Sequence, residues 1–171
     1  YNDYDFKRVF HAVSNFMTVD LSAFYFDIRK DALYCDALSS TRRRACRTVL
    51  DHLFMSLTAW LAPVLCFTTE EAWLTRFPSE DGTVHTRLFP DLPAEWRDDA
   101  LAEKWRKVRE LRRVVTGALE VERREKRIGA SLEAAPEVYV TNAELLAAME
   151  GLDLAEIAIT SQAQLIDGEG P

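Results

Sequence analysis

Between Val49 and Val64 the residues Val49, Leu50, Leu53, Phe54, Leu57, Trp60, Leu61 and Val64 recur at three- and four-residue intervals. This is the strongest helical stripe in the chain, and it predicts an amphipathic helix whose apolar face needs a partner. Ser39, Ser40 and Thr41 offer caps at its start, and Pro63 should stop or kink it. Other stretches share the rhythm. Residues 3–17 place Phe6, Val9, Phe10, Val13, Phe16 and Met17 on one face. After Val19, Asp20 or Ser22 can cap a second helix carrying Leu21, Phe24, Tyr25, Ile28 and Ala32. Thr68-Thr69-Glu70-Glu71 reads as a capping box, Thr68 at N-cap and Glu71 at N3, opening a helix to about Arg76. A last long helix is expected from about Asp98 to Arg127, with Leu101, Trp105, Val108, Leu111, Val115 and Leu119 inward and Gly129 as its stop.

The remainder reads differently. From Pro78 to Pro93, Asp81-Gly82 and the prolines mark a long surface loop, with His85 to Phe89 extended. Further on, Glu137-Val138-Tyr139-Val140 alternates as a strand, and Asn142 can cap a helix through Met149. Glu156 to Thr160 alternates again, and Ala163 to Ile166 extends that strand or adds a third. The expected fold is mainly α: a helical bundle over residues 1–128 with a small β-α-β subdomain over 129–171.

A net charge of −7 looks hostile to nucleic acid until it is mapped along the chain. No Lys or Arg follows Arg127, whereas Glu133, Glu137, Glu144, Glu150, Asp153, Glu156, Asp167 and Glu169 do. The rest of the chain is therefore slightly basic, and local fields decide whether a phosphate backbone can dock. The acidic tail should face away from any such groove.

Several classes are disfavoured. The run Leu50 to Leu65 is broken by Asp51, His52, Ser56, Thr58 and Pro63, short of the roughly 18–20 clean apolar residues of a membrane span. Asp3, Asp5, Lys7 and Arg8 stand where a signal peptide would need an apolar region. Cys35, Cys46 and Cys66 are widely spaced, which suits free thiols of a cytosolic protein better than disulfides or zinc. His11, His52 and His85 lie on different elements, and no nucleophile or phosphate-loop motif accompanies them. Asp27 and Asp31 stand one turn apart, but with Arg29 and Lys30 between them a solvated helix face is the better reading than an acid–base pair. No catalytic or metal-binding residues are expected.

The basic clusters say more. Arg42, Arg43 and Arg44, with Arg47 one turn on, occupy a helix N-terminus, where positive charge opposes the helix dipole. Either a phosphate backbone compensates them, or Asp36 or the Asp27/Asp31 face does. Lys104, Arg106, Lys107, Arg109, Arg112 and Arg113, then Arg123, Arg124, Lys126 and Arg127, line the last helix, where a solvated outer face is the default.

Longer segments carry a resemblance. Val19 to Tyr34, reading VDLSAFYFDIRKDALY, closely resembles the anticodon-binding helix of bacterial isoleucyl-tRNA synthetases. Arg42-Arg43-Arg44, Leu61-Ala62-Pro63 through Thr68, and Glu70-Glu71-Ala72-Trp73 follow in the order of that family, and Lys126 with Ile128 to Ala134 resembles its junction after the bundle. Synthetases for valine, leucine and methionine share the middle segments, while the first and last look isoleucine-type. The resemblance covers essentially the whole chain.

It implies the tRNA-binding portion of a monomeric, cytoplasmic class I ligase that charges tRNA with isoleucine using ATP and magnesium during translation. The family's nucleotide-binding signatures do not occur, so catalytic and editing domains are expected N-terminal to Tyr1, a start without Met that suggests processing or excision. The zinc module with which family members often end is expected to be missing or removed. Arg42, Arg43, Arg44, Arg47 and Lys30 are the expected phosphate contacts on tRNA. Arg123 and Lys126 match the junction and suit either tRNA contact or bracing. Trp73 and Tyr34 can stack on bases, although core packing is favoured for both. The rival readings are a valine-type or other class I synthetase, and a helical module whose arginines bind acidic protein partners.

Overall fold

The computed structural model describes residues 1–170. Helix α1 (Phe6–Asn15) runs without a break into a π-helical segment (Phe16–Tyr25) and the short α2 (Phe26–Ile28). Next come α3 (Lys30–Tyr34), α4 (Thr41–Leu61), α5 (Cys66–Arg76) and α6 (Asp99–Arg124). The order ends with β1 (Glu137–Val140), α7 (Ala143–Met149), α8 (Leu154–Ala158) and β2 (Gln164–Asp167). The expectation of a mainly α chain with a small α/β element is met. Among the described residues no helix is long and apolar enough to cross a membrane.

The chain forms two compact units, one of Tyr1–Ile28 with everything from Asp98 onward, the other of Arg29–Arg97. A boundary at 128/129 thus falls inside the first unit. There α6 is the central element: its Val108 and Leu111 share a core with Val140, Ala148, Met149, Leu154 and Ile157. One turn further, Val115 and Leu119 pack with Ala158. The inward stripe read along this helix is correct for these four positions, but Leu101 is half exposed. The acidic tail is built onto α6 and its core is continuous with that helix.

β1 and β2 pair in parallel, Glu137 opposite Gln164 through Val140 opposite Asp167. A parallel pair needs a crossover, and α7 and α8 supply it. The second strand expected over Glu156–Thr160 is instead the end of α8, closed by Ile159 in the left-handed region (φ 58°). Alternation there was a poor guide because two faces of a short helix are both buried, Ile157 with Ala158. The helix expected to begin at Asp20 or Ser22 is also corrected. The chain is already helical there, and the wider π turn moves side chains off the 3.6-residue register. Asp20 is free to face Arg109, with Oδ1 2.5 Å from Nη1.

α6 stops earlier than Gly129. Glu125 is its C-cap and Lys126 takes the left-handed conformation (φ 59°). Arg127 N–H donates to Glu122 O at 2.9 Å, and Lys126 N–H to Arg123 O at 3.0 Å. That pair of bonds is a Schellman ending with lysine where glycine is usual. Gly129 instead donates its N–H to Glu133 at 2.8 Å.

In the second unit, α4 begins and ends as expected, capped by Ser40 and finished at Leu61 before Pro63. The capping box is not formed. α5 starts at Cys66 with Leu65 as N-cap and no side-chain cap. Thr69 turns inward and donates to Leu65 O at 2.9 Å. Glu70 accepts from Val84 N–H and from Thr83 Oγ1, each at 2.9 Å, pinning the proline-rich loop. His85 to Phe89 is accordingly not extended throughout: Val84–Thr86 makes a 3-10 turn, with Val84 buried against Ala62 and Trp73.

Candidate nucleic-acid interface

The arginines at the start of α4 divide by geometry. Asp36, just before the helix, accepts from Arg42 twice, Nε at 2.9 Å and Nη2 at 2.6 Å. It also accepts from Ser40 Oγ at 2.9 Å, while its backbone carbonyl takes Arg43 Nη1 at 2.6 Å. Arg42 and Arg43 therefore answer the question of what tolerates cations at the positive end of a helix dipole: a carboxylate held beside them. Hydrogen bonds from Arg42 and Ser40 hold the Asp36 carboxyl down at about 2, well below the usual carboxylate range.

A pH dependence follows. The folded state prefers ionised Asp36 more than the unfolded chain does, so its contribution is fully present above the ordinary value near 4. It is lost as pH falls toward about 2. Thermal melts of Asp36→Asn should show a shallower loss of Tm over that window than the parent chain. Equal slopes would mean that Asp36 titrates normally.

Arg44 and Arg47 are exposed, and among the described residues neither side chain is engaged in an ion pair or hydrogen bond. With Asp51 they lie at i, i+3 and i+7 on one face of α4. They line a groove of about 590 Å³ with Thr48, Leu50, Phe54 and Arg76. Arg76, in the last turn of α5, pairs with Asp51 and lies over the rings of Phe54 (5.4 Å) and Phe77 (5.2 Å). Sequence reasoning missed Arg76, because nothing local announces a partner 25 residues away. Lys30 is exposed at the first residue of α3, in the same compact unit.

The two aromatics separate as well. Trp73 is only 3% exposed and belongs to the core, whereas Tyr34 is 80% exposed, contrary to the core packing expected of it. Of the pair, Tyr34 alone presents a face on which a base can stack.

The other unit holds a second basic cavity, about 450 Å³, lined by Arg106, Arg109, Arg112 and Arg113 with Phe24 and Glu110. Its charge is mostly compensated: Arg106 pairs with Glu103 and Glu110, Arg109 with Asp20, and Arg112 with Asp27. Asp27 is thus one half of an internal ion pair, which corrects its reading as a solvated face. The outer-face reading of the basic helix holds for the exposed Arg106, Arg113 and Arg124, but Lys107 reaches Glu144 at 2.7 Å and Lys104 donates to Glu150 O at 3.0 Å. At the end of α6, Arg123 pairs with Glu120 and donates to Ser131 Oγ at 3.0 Å, a brace across the junction turn. Lys126 is exposed in the first unit. Among the described residues no group of His, Cys, Asp or Glu could hold a metal ion.

Residues 1–139 match the family described as the anticodon-binding domain of tRNA ligase. Over all 171 residues the chain is 59% identical to an isoleucine–tRNA ligase of Agrobacterium fabrum and 60% identical to one of Brucella abortus. An isoleucine–tRNA ligase of Bartonella henselae is 53% identical over the same span. The whole chain is covered in each case, yet it spans only 18% of the length of these relatives. With residues 1–139 matched, the chain belongs to the family of anticodon-binding domains of tRNA ligases.

Proposed function

We propose that this chain is the tRNA-recognition portion of an isoleucine–tRNA ligase, the enzyme that attaches isoleucine to its tRNA at the expense of ATP. The observation that carries the reading is identity of 53–60% to ligases of that name along the full 171 residues. Its partners are then the isoleucine-acceptor tRNA and the catalytic and editing domains of the same polypeptide, in a monomeric cytoplasmic enzyme. ATP and magnesium, and any structural zinc, belong to those other parts; the described residues offer no cluster that fits a metal. Residues 1–128 serve the anticodon stem-loop and 129–171 form the junction subdomain, a division of task and not of packing.

Within this reading the arginines fix the register of the RNA through its phosphates, and a few polar or aromatic groups read splayed bases. Arg44 and Arg47 are the strongest contacts, being exposed and uncompensated. Lys30, exposed at the first residue of α3, adds a further cation, and Tyr34 offers a stacking face. Arg42 and Arg43 approach RNA with charge already shared with Asp36, so they contribute less per residue. Arg123 and Lys126 add contacts at the end of α6, Lys126 the more freely of the two.

Titration of the chain with unmodified transcripts at two salt concentrations tests this. The isoleucine-acceptor transcript should bind more tightly than valine- and methionine-acceptor transcripts, with affinity falling steeply as salt rises. Tighter binding of the valine acceptor would reassign the amino acid. A flat salt response with no preference would remove the tRNA reading itself.

A further inference from the structure

We propose that the groove between α4 and α5 seats the RNA backbone, with Arg44, Arg47 and Arg76 as its phosphate ligands and Asp51 as a built-in competing anion. The proposal rests on the tRNA reading above and names where and how the backbone is held.

Three cations and one carboxylate line the groove, so it carries a surplus of two positive charges. Arg44 and Arg47 project from the same face of α4 at i and i+3, and their side chains are uncommitted among the described residues. Arg76 closes the groove from α5, a second element, so cations converge from two walls on a cavity of about 590 Å³. Such convergence distinguishes a seat from an ordinary charged helix face.

The aromatic floor argues for phosphate over base. Phe54 would be the natural stacking platform, but the Arg76 guanidinium already lies over its ring at 5.4 Å. Thr48, the neutral polar group of the lining, donates its hydroxyl to Arg44 O at 3.1 Å within its own helix. What the groove presents outward is positive charge without a reading edge, which positions RNA and does not select sequence.

Asp51 and Arg76 are each about half exposed, at 49% and 46%. A pair so exposed is weak in water and exchanges readily. A phosphodiester, which brings an anionic oxygen to Arg44 and Arg47 at the same time, displaces Asp51 from Arg76. Asp51 then sits beside the bound anion and weakens it. Removing the carboxylate by Asp51→Asn should therefore tighten RNA binding, whereas a purely structural pair would leave it unaltered or loosen it.

The 171-residue chain and its variants are titrated with the isoleucine-acceptor transcript across a salt series, with circular-dichroism melts confirming that each variant is folded. Arg44→Gln/Arg47→Gln should weaken binding about 10-fold or more at low salt and flatten the log–log salt slope by about 2, one for each lost contact. Asp51→Asn should tighten binding by about 3- to 10-fold through loss of one like charge near the phosphate. Arg76→Gln should weaken it by a similar factor, and the gain from Asp51→Asn should shrink in that background.

A parental salt slope in the double arginine variant, or an Asp51→Asn variant that binds no tighter than the parent, overturns the groove. Those results with the transcript preference intact leave the tRNA reading standing. Loss of that preference in the parent chain overturns the reading beneath it. Polyglutamate held as tightly as the transcript at equal charge would replace RNA by an acidic polypeptide as the occupant.

Discussion

Trp73→Ala is expected to lower the unfolding free energy by about 3–5 kcal/mol, the usual cost of emptying a buried indole site. Trp73 is 3% exposed and anchors a small core with Ala62 and Val84, flanked by Phe54, Met55 and Leu74. Its ring stacks near Phe54 at 6.4 Å and lies 4.8 Å from Phe77, while Arg87 covers it at 5.0 Å. It therefore joins α4, α5 and the turn at Val84–Thr86. No alternative buried side chain of comparable size stands in that cluster to close the void. Since domains retain only about 5–15 kcal/mol in total, the loss should be plain in urea unfolding followed by far-UV dichroism. Trp73→Phe should recover more than half of it. A Trp73→Ala midpoint equal to that of the parent would mean that this core is not a determinant of stability.

Arg112→Ala should cost about 2–4 kcal/mol, somewhat below the figure for a fully buried pair. The Arg112 side chain is 16% exposed and Asp27, its partner at 3.3 Å, is 32% exposed. Arg112 also donates through Nε to Ile157 O at 2.8 Å and through Nη1 to Ala23 O at 3.1 Å. One guanidinium thus ties α6 to the π-helical segment, α2 and α8, stacked over Phe24 at 5.5 Å. Burial pushes its pKa down despite the attraction of Asp27, a sign that desolvation is substantial. Truncation leaves a partly buried carboxylate and two carbonyls without this donor. Asp27→Asn should cost clearly less in an Arg112→Ala background than in the parent chain. Equal costs in both backgrounds would show that the two do not interact.

Much of the local structure was legible because it is written in short-range terms. Ser40, Asp98 and Asn142 cap the helices that their positions announce, each accepting from a backbone N–H two or three residues on. Val140 and its neighbours alternate as a strand because one face is covered. Failures came where a distant partner outbid the local rule. Asp20 meets Arg109 instead of opening a helix, and Glu70 is drawn across to Thr83 and Val84, a contact that no local rule announces. Tyr34 was expected to pack and is exposed, since the general tendency of aromatics to be buried does not say what covers a particular one.

The sequence by itself determined the helical stripes, the segregation of acid into the last part of the chain, and the segments that mark the anticodon-binding family. Interactions within a turn or two decide the first, and residue identity alone decides the others. Only the tertiary structure decided which arginines remain available. In the basic run on α4, Arg42 and Arg43 are taken by Asp36, while Arg44 and Arg47 stay open and gain Arg76. Along α6, Arg109 and Arg112 are claimed by acids 89 and 85 residues away. Charge partners at such separations are selected by packing, and packing is not a local property of any segment.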